Sequence, residues 1–254
     1  MGRPNLNQIL TESVFRPLKK PIWYTVHALT GIRMQMPAHY IDGSMFSASF
    51  QAPVDKVQQL LPSSKLSPVE CSIGKGEISI CANEFRHIDI LYPYNEVVIA
   101  IPVSYQSGEG IPNLLGLWHL HMPVTTEDAR WPGVENMGFP KFVAKIQFEY
   151  SSDYIHCLLL HNGRKIFTLK VKKINTSFQE WEVNNFTIRE GRLLCSLFSA
   201  KGQKGIDETP GGGSISFGDH PIAEELQSLK MEVTSFRNEY IPKVEAILGI
   251  GLSK

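Results

Sequence analysis

Short strand-like runs of apolar residues, broken by polar positions and turns, dominate the middle of the chain. Glu77–Ala82, Glu96–Tyr105, Leu117–Met122, Val143–Tyr150, Tyr154–Leu160 and Lys165–Val171 are rich in β-branched and aromatic side chains, as half-buried strands are. Met45–Phe50 reads the same way, and Glu182–Ile188 and Arg192–Ala200 continue the pattern. Gly74-Lys75-Gly76 and His161-Asn162-Gly163 look like hairpin turns. So many strands predict a closed or nearly closed barrel, an arrangement that leaves few exposed edges. Helices are fewer. Ala52-Pro53-Val54-Asp55 opens a short one in which Val54, Val57, Leu60 and Leu61 share a face before Pro62 stops it. Ile222, Leu226, Leu229, Val233, Phe236, Tyr240, Val244 and Ile247 step by three and four residues. That stripe predicts a C-terminal helix over 219–249, capped by Asp219 and ended by Gly249. Residues 1–40, broken by Pro17, Pro21 and Pro37, read as an N-terminal arm with short helical pieces. Residues 1–254 are expected to form a single β-rich α+β domain.

Composition narrows the function classes. The 254 residues are 43% hydrophobic, enough for an ordinary globular core. The 25 basic residues balance 25 acidic ones without a long block of either sign, which argues against a nucleic-acid partner. Cys71, Cys81, Cys157 and Cys195 are widely spaced, and we read them as reduced thiols. The N-terminus has no apolar run of signal-peptide length, and position 6 is Leu where a myristoylation motif needs Ser or Thr. The apolar stretch near Val97–Val103 is far too short to span a bilayer. A cytoplasmic protein with no membrane partner is expected.

Gly133-Val134-Glu135-Asn136-Met137-Gly138-Phe139-Pro140-Lys141-Phe142 is the most informative stretch. It holds a lysine directly behind proline and between two phenylalanines, at a strand start. A lysine amine in water is almost wholly protonated. Desolvation disfavours the ammonium, so a dry site favours the neutral amine that attacks carbonyl carbon. On spacing alone the more common reading is that Lys141 snorkels to solvent from a strand end, as most lysines near aromatic residues do.

The same stretch resembles the G-R-E-x-x-G-x-P-K signature of the acetoacetate decarboxylase family, through Gly133, Glu135, Gly138, Pro140 and Lys141. Tyr94-Asn95-Glu96, followed by Ile101-Pro102-Val103, resembles that family's Y-x-E…I-P-V segment. Looser similarity runs from Phe46 toward the C-terminus. The resemblance implies an antiparallel β-barrel or cone around a buried pocket, with Lys141 as the Schiff-base lysine and Glu96 beside it as proton shuttle or electrostatic guide. It implies a lyase, decarboxylase-like, that acts on β-keto acids or related oxo compounds and needs neither cofactor nor metal. An imine-dependent aldolase or dehydratase and a non-catalytic small-molecule-binding barrel are the alternatives. A homo-oligomer is expected.

Three positions depart from the family pattern. Val134 stands where the signature has arginine, Phe142 where a second lysine follows the nucleophile, and Gly43 where an arginine precedes the first barrel strand. Arg33 or Arg86 is then the candidate cation for a substrate carboxylate, and Met137, Phe139 and Phe142 the candidate apolar contacts. Glu135 is read as structural. His119 and His121 alternate on a strand-like run and would face one side, but no acidic residue at a telling spacing completes a metal site. Gly211-Gly212-Gly213-Ser214 lacks the context of a phosphate loop.

Overall fold

The computed structural model describes residues 22–25, 33–89, 91–106, 108 and 112–254. The helical pieces expected within 1–40 fall largely outside these. Where the arm is described it is extended: β1 (Ile22–Thr25) pairs with β2 (Arg33–Met36), and β3 (Ala38–Pro53) follows. The short helix α1 (Val54–Gln58) starts behind Pro53, as expected. β4 (Leu66–Pro68) and β5 (Glu70–Ser72) lead to β6 (Lys75–Ile88), β7 (Tyr94–Tyr105) and β8 (Leu114–Val124). Helix α2 (Glu127–Met137) and β9 (Lys141–Val143) come next, then β10 (Lys145–Tyr150), β11 (Tyr154–His161) and β12 (Arg164–Lys172). The chain continues through β13 (Ser177–Arg189), β14 (Arg192–Asp207), β15 (Gly213–Phe217), α3 (Pro221–Ser228), β16 (Arg237–Leu248) and β17 (Leu252–Ser253). No helix of the described residues is long and apolar enough to cross a membrane.

Seven strands in the order β7-β6-β3-β16-β14-β13-β8 close into a barrel through the β7–β8 pair. The barrel is mixed, not purely antiparallel. β13 runs parallel to β8 at Asn185–Leu117 and Phe186–Trp118, and β9 lies parallel to β8 because α2 carries the chain back across between them. β10, β11, β12 and β15 form a second, four-stranded sheet. Its inner face and the barrel wall enclose one core, which includes Phe46, Ile80, Ile99, Phe167 and Leu169. A second core, with Tyr40, Phe85, Tyr94, Met122 and Phe139, sits at the barrel interior. β7 shows how one strand serves both. Glu96 and Val98 point into the barrel, while Val97, Ile99 and Ile101 join the other core, so its sequence reads as a nearly continuous apolar run.

The C-terminal segment corrects the expectation of one long helix. α3 ends at Ser228, Lys230 takes a left-handed backbone (φ 54°), and residues 237–248 are the strand β16. Pro242 is the physical reason. In a helix interior it would remove a hydrogen bond and clash with the preceding turn, at a cost of about 3 kcal/mol. In β16 it falls at an irregularity between Ile241 and Val244, where the ladder to β3 is interrupted anyway. Of the stripe's members in β16 only Val244 is fully buried, beside Ile241 and Ala246, which the helical spacing did not pick out, while Val233 is left exposed. The cap of α3 is His220, whose Nδ1 accepts from the Ile222 N–H, while Asp219 instead lies 3.5 Å from Arg164.

Candidate active site

The signature stretch is a helix end, a sharp turn and a strand start. Thr126 caps α2 at its start. At its end Gly138 is left-handed (φ 67°), its N–H donating to the Val134 carbonyl, and the Phe139 N–H donates to the Gly133 carbonyl. A Cβ at Gly138 would also meet the Ile188 carbonyl oxygen at 2.4 Å. The Lys141 N–H then donates to the Phe139 carbonyl at 2.8 Å across Pro140, and the Pro140 carbonyl accepts from the Met122 N–H. These bonds set Lys141 opposite Met122 at the first residue of β9, with its side chain entering the barrel. Gly133 has its own part. A Cβ there would lie 2.6 Å from Cδ and 2.8 Å from Cε of Lys141, so the missing side chain is the space that the lysine stem occupies.

Inside the barrel Lys141 Nζ lies 2.8 Å from Glu96 Oε2, and the two side chains are only 7% and 9% exposed. Asn83 Nδ2 donates to the other carboxylate oxygen at 3.4 Å, and the Cys81 thiol donates to Asn83 Oδ1 at 3.0 Å. The rings of Tyr94 and Phe139 flank the amine, their centroids 5.6 and 5.7 Å from Nζ. The pair opens into a cavity of about 120 Å³ whose wall is mostly apolar, with Tyr40, Met45, Phe85, Trp181 and Phe198 among its members. Burial, with the Glu96 charge adding to it, pushes the Tyr40 and Tyr94 phenols above their ordinary range, and burial does the same to the Cys81 thiol. These groups keep their protons and act as donors. Lys141 is therefore not merely desolvated: a carboxylate, itself buried, faces it.

The remaining candidate residues divide sharply. Phe139 lines the cavity beside the amine. Phe142 follows Lys141 in a strand and so points to the opposite face, where its ring meets His161 edge-on at 4.9 Å. Met137 is buried at the end of α2 but does not line the cavity, and Thr187 holds its carbonyl at 2.6 Å. Arg86 does not line it either. Its guanidinium also reaches Glu84, and its bidentate bonds to Asp42, at 2.8 and 3.0 Å, hold the Asp42 carboxyl below its usual range. The side chain of Arg33 lies outside the described residues. Glu135 is exposed on α2. Gly43 sits where β3 bulges, and a side chain there would press on the Glu84 carbonyl and the Phe85 ring at 3.0 and 3.1 Å. No arginine lines the cavity among the described residues.

His119 and His121 do not face one side. Between them β8 carries an extra residue relative to β7: His119 pairs with Ala100, and His121 with the very next position, Ile99. That bulge reverses the alternation. His119 lines the cavity, where its Nε2 is 2.9 Å from Asn185 Oδ1. His121 points out to a separate cleft and bonds Glu225 at 2.7 Å. Among the described residues no group of three or more His, Cys, Asp or Glu is placed to hold a metal ion. Asn83, Asn185 and Trp181 were not singled out by sequence reasoning, and Cys81 was read only as a reduced thiol. Each belongs to a strand facing the barrel interior, a fact that only register supplies.

Solved structures share the fold, and a family model identifies the family. MppR, an enduracididine biosynthesis enzyme, complexed with pyruvate superposes with a TM-score of 0.67 at 14% identity, over 92% of this chain and 98% of that one. Another MppR structure holds the condensation product of pyruvate and imidazole 4-carboxaldehyde, with a TM-score of 0.61 at 14% identity over 85% and 88% of the two chains. The acetoacetate decarboxylase of Legionella pneumophila subsp. pneumophila gives 0.61 at 16% identity over 86% and 87%. No curated protein sequence matches this one. The family model for acetoacetate decarboxylase matches residues 27–237, a span that contains the Lys141–Glu96 pair and the strands around it, and the chain belongs to the acetoacetate decarboxylase family.

Proposed function

We propose that this protein forms a Schiff base between Lys141 and an oxo compound, and uses the resulting iminium to cleave or remodel a bond beside the former carbonyl. The observation that carries the reading is the buried 2.8 Å contact between Lys141 Nζ and Glu96 at the wall of an apolar cavity. An ammonium must lose a proton before it can attack, and Glu96 Oε2 is within direct reach of that proton. The freed amine adds to the carbonyl carbon, and the C=O pair moves to oxygen, which takes up a proton. Water then leaves to give the iminium. In the decarboxylase form of the reaction, the bond to a β-carboxylate breaks and its electron pair flows to the iminium nitrogen. Carbon dioxide departs and leaves an enamine. Protonation of the enamine carbon and hydrolysis release the ketone and restore Lys141.

A second reading, imine-dependent aldol or dehydration chemistry, is favoured by the charges around the cavity. Among the described residues Lys141 is the cation that lines it, and Glu96 already balances that charge. A substrate carboxylate would enter beside Glu96 with no further cation to pair it, and burying an unpaired charge is strongly unfavourable. Uncharged oxo compounds meet no such penalty. The test is incubation with acetoacetate, bulkier β-keto acids and neutral ketones, followed by borohydride and intact mass. The expected result is a reduced adduct on Lys141 that is absent from Lys141→Ala. Equal trapping in both proteins refutes the assignment of the nucleophile, and no trapping with any oxo compound leaves a binding barrel.

A further inference from the structure

His119 is a buried group of the cavity that the steps above leave unused. It is 5% exposed, and its ring stands edge-on to Phe139 at 5.3 Å, the same ring that flanks the Lys141 amine. Asn185, from β13, accepts from its Nε2–H through Oδ1 at 2.9 Å. That bond fixes the tautomer, so Nδ1 carries a lone pair. Nδ1 is buried and has no hydrogen-bond partner among the described residues. Buried polar atoms without partners are rare in folded proteins and call for a reason. Burial drives the imidazole down to about 4, against the Asn185 hydrogen bond and with the Lys141 charge, so the ring is neutral near pH 7. A neutral imidazole with a free lone pair, on the wall of the apolar cavity that Lys141 also lines, has the properties of a base.

We propose that His119 removes a proton from the carbon adjacent to the iminium on Lys141, and that the cavity accordingly takes uncharged ketones or aldehydes that carry an α-hydrogen. The proposal rests on the Schiff-base reading given above. In this step the C–H pair becomes the C=C bond of an enamine, the C=N pair becomes a lone pair on nitrogen, and Nδ1 takes the proton. The positive charge passes from iminium to imidazolium, so the cavity, with Glu96 as its anion, keeps its net charge. No oxidant or further reactant is required. In direct decarboxylation a C–C bond supplies the electron pair that forms the enamine, and His119 would act only afterwards, in its protonated form, as the acid that delivers a proton to the enamine carbon.

The experiment is solvent-deuterium exchange at the α-carbons of 2-butanone, followed by proton NMR in D₂O, with borohydride trapping of the same ketone run in parallel. Wild type is expected to catalyse exchange and to trap an adduct on Lys141. His119→Asn and His119→Gln are expected still to trap an adduct on Lys141, while exchange measured per adduct formed slows by about 100-fold or more, the range of a general base. Exchange at the wild-type rate in either variant, with trapping intact, overturns the role of His119 and leaves the Schiff base standing. A wild-type protein that traps no adduct overturns both. The groups that share the cavity with His119 are Lys141 on β9, Glu96 on β7, Cys81 on β6 and Tyr40 on β3. Asn185→Asp places a carboxylate on Nε2 alone and stabilises the imidazolium, so the acid limb of the exchange profile must move to higher pH by about one unit or more. An acid limb that does not move argues for a purely structural histidine and also overturns the proposal.

Discussion

Gly133 offers a direct test of how the lysine is placed, because the substitution is small and its effect can be worked from distances. In Gly133→Ala the new Cβ would stand 2.6 Å from Lys141 Cδ and 2.8 Å from Cε. Carbon atoms in comfortable contact are about 3.5–4.0 Å apart. The lysine stem must therefore retreat by about 1 Å, and the amine, now 2.8 Å from Glu96, moves with it. A misplacement of about 1 Å at a reacting group costs on the order of 100-fold in rate. That corresponds to about 2.7 kcal/mol of barrier. The fold has little reason to suffer, since Gly133 lies within helix α2, where alanine is preferred to glycine by about 0.8–1.0 kcal/mol, and the atom in the way belongs to a flexible stem. The assay is the rate of borohydride-trapped adduct formation at fixed ketone, with a thermal melt of the same preparation. The expected result is an unchanged or slightly raised melting temperature together with trapping about 100-fold slower. Trapping at the wild-type rate by a folded Gly133→Ala protein refutes the argument that this glycine exists to make room for the lysine.

The Lys141–Glu96 pair is buried, so Lys141→Met and Glu96→Gln should each cost about 3–5 kcal/mol in urea unfolding, and the double variant no more than either alone. Additive losses would show that neither side chain depends on the other. Acetoacetate should be turned over much more slowly than neutral ketones are trapped, measured as carbon dioxide release against adduct, and rapid decarboxylation would show that a cation reaches the cavity. His119 stays neutral down to about pH 4 in the folded chain but protonates near pH 6.5 once unfolded. The unfolded state therefore binds more protons between those limits, and stability should fall by about 3 kcal/mol as pH drops from 6.5 to 4. His119→Gln should flatten that part of the curve in urea titrations run across the pH range.

The barrel strands were legible because most carry their own evidence, as the β-branched run of β7 and the turn at Asn162-Gly163 do, with both residues left-handed. Lys141 and Glu96 were legible through a sequence resemblance, and their contact could not have been read from spacing, since 45 residues separate them. Helix α2 escaped because Pro132-Gly133 interrupts its pattern and it lacks an apolar stripe. The C-terminal strand escaped because a chance apolar spacing of three and four residues ran through it, although the side chains it buries are Ile241, Val244 and Ala246, and Pro242 was the discriminating residue. Phe142 shows the cost of reading neighbours as partners: next to Lys141 in sequence, it lies on the other side of the wall. The two histidines show the same at one remove, since a single extra residue in β8 reversed the parity on which their grouping depended.

The position of β16 between β3 and β14 has a consequence for how the molecule is made. β3 is among the first segments of the described chain to be synthesised, and its partner Arg237–Leu248 among the last. Until those residues leave the ribosome, β3 and β14 each present an unpaired edge, and the cylinder cannot shut. Contacts between segments so far apart in sequence form slowly, because the entropy of closing the intervening loop is lost before the contact repays it. Nascent chains interrupted before residue 237 are thus expected to be sticky, with two open edges available to other molecules. Leu248 also lines the cavity that holds Lys141, so that cavity has its full wall only once the barrel has closed.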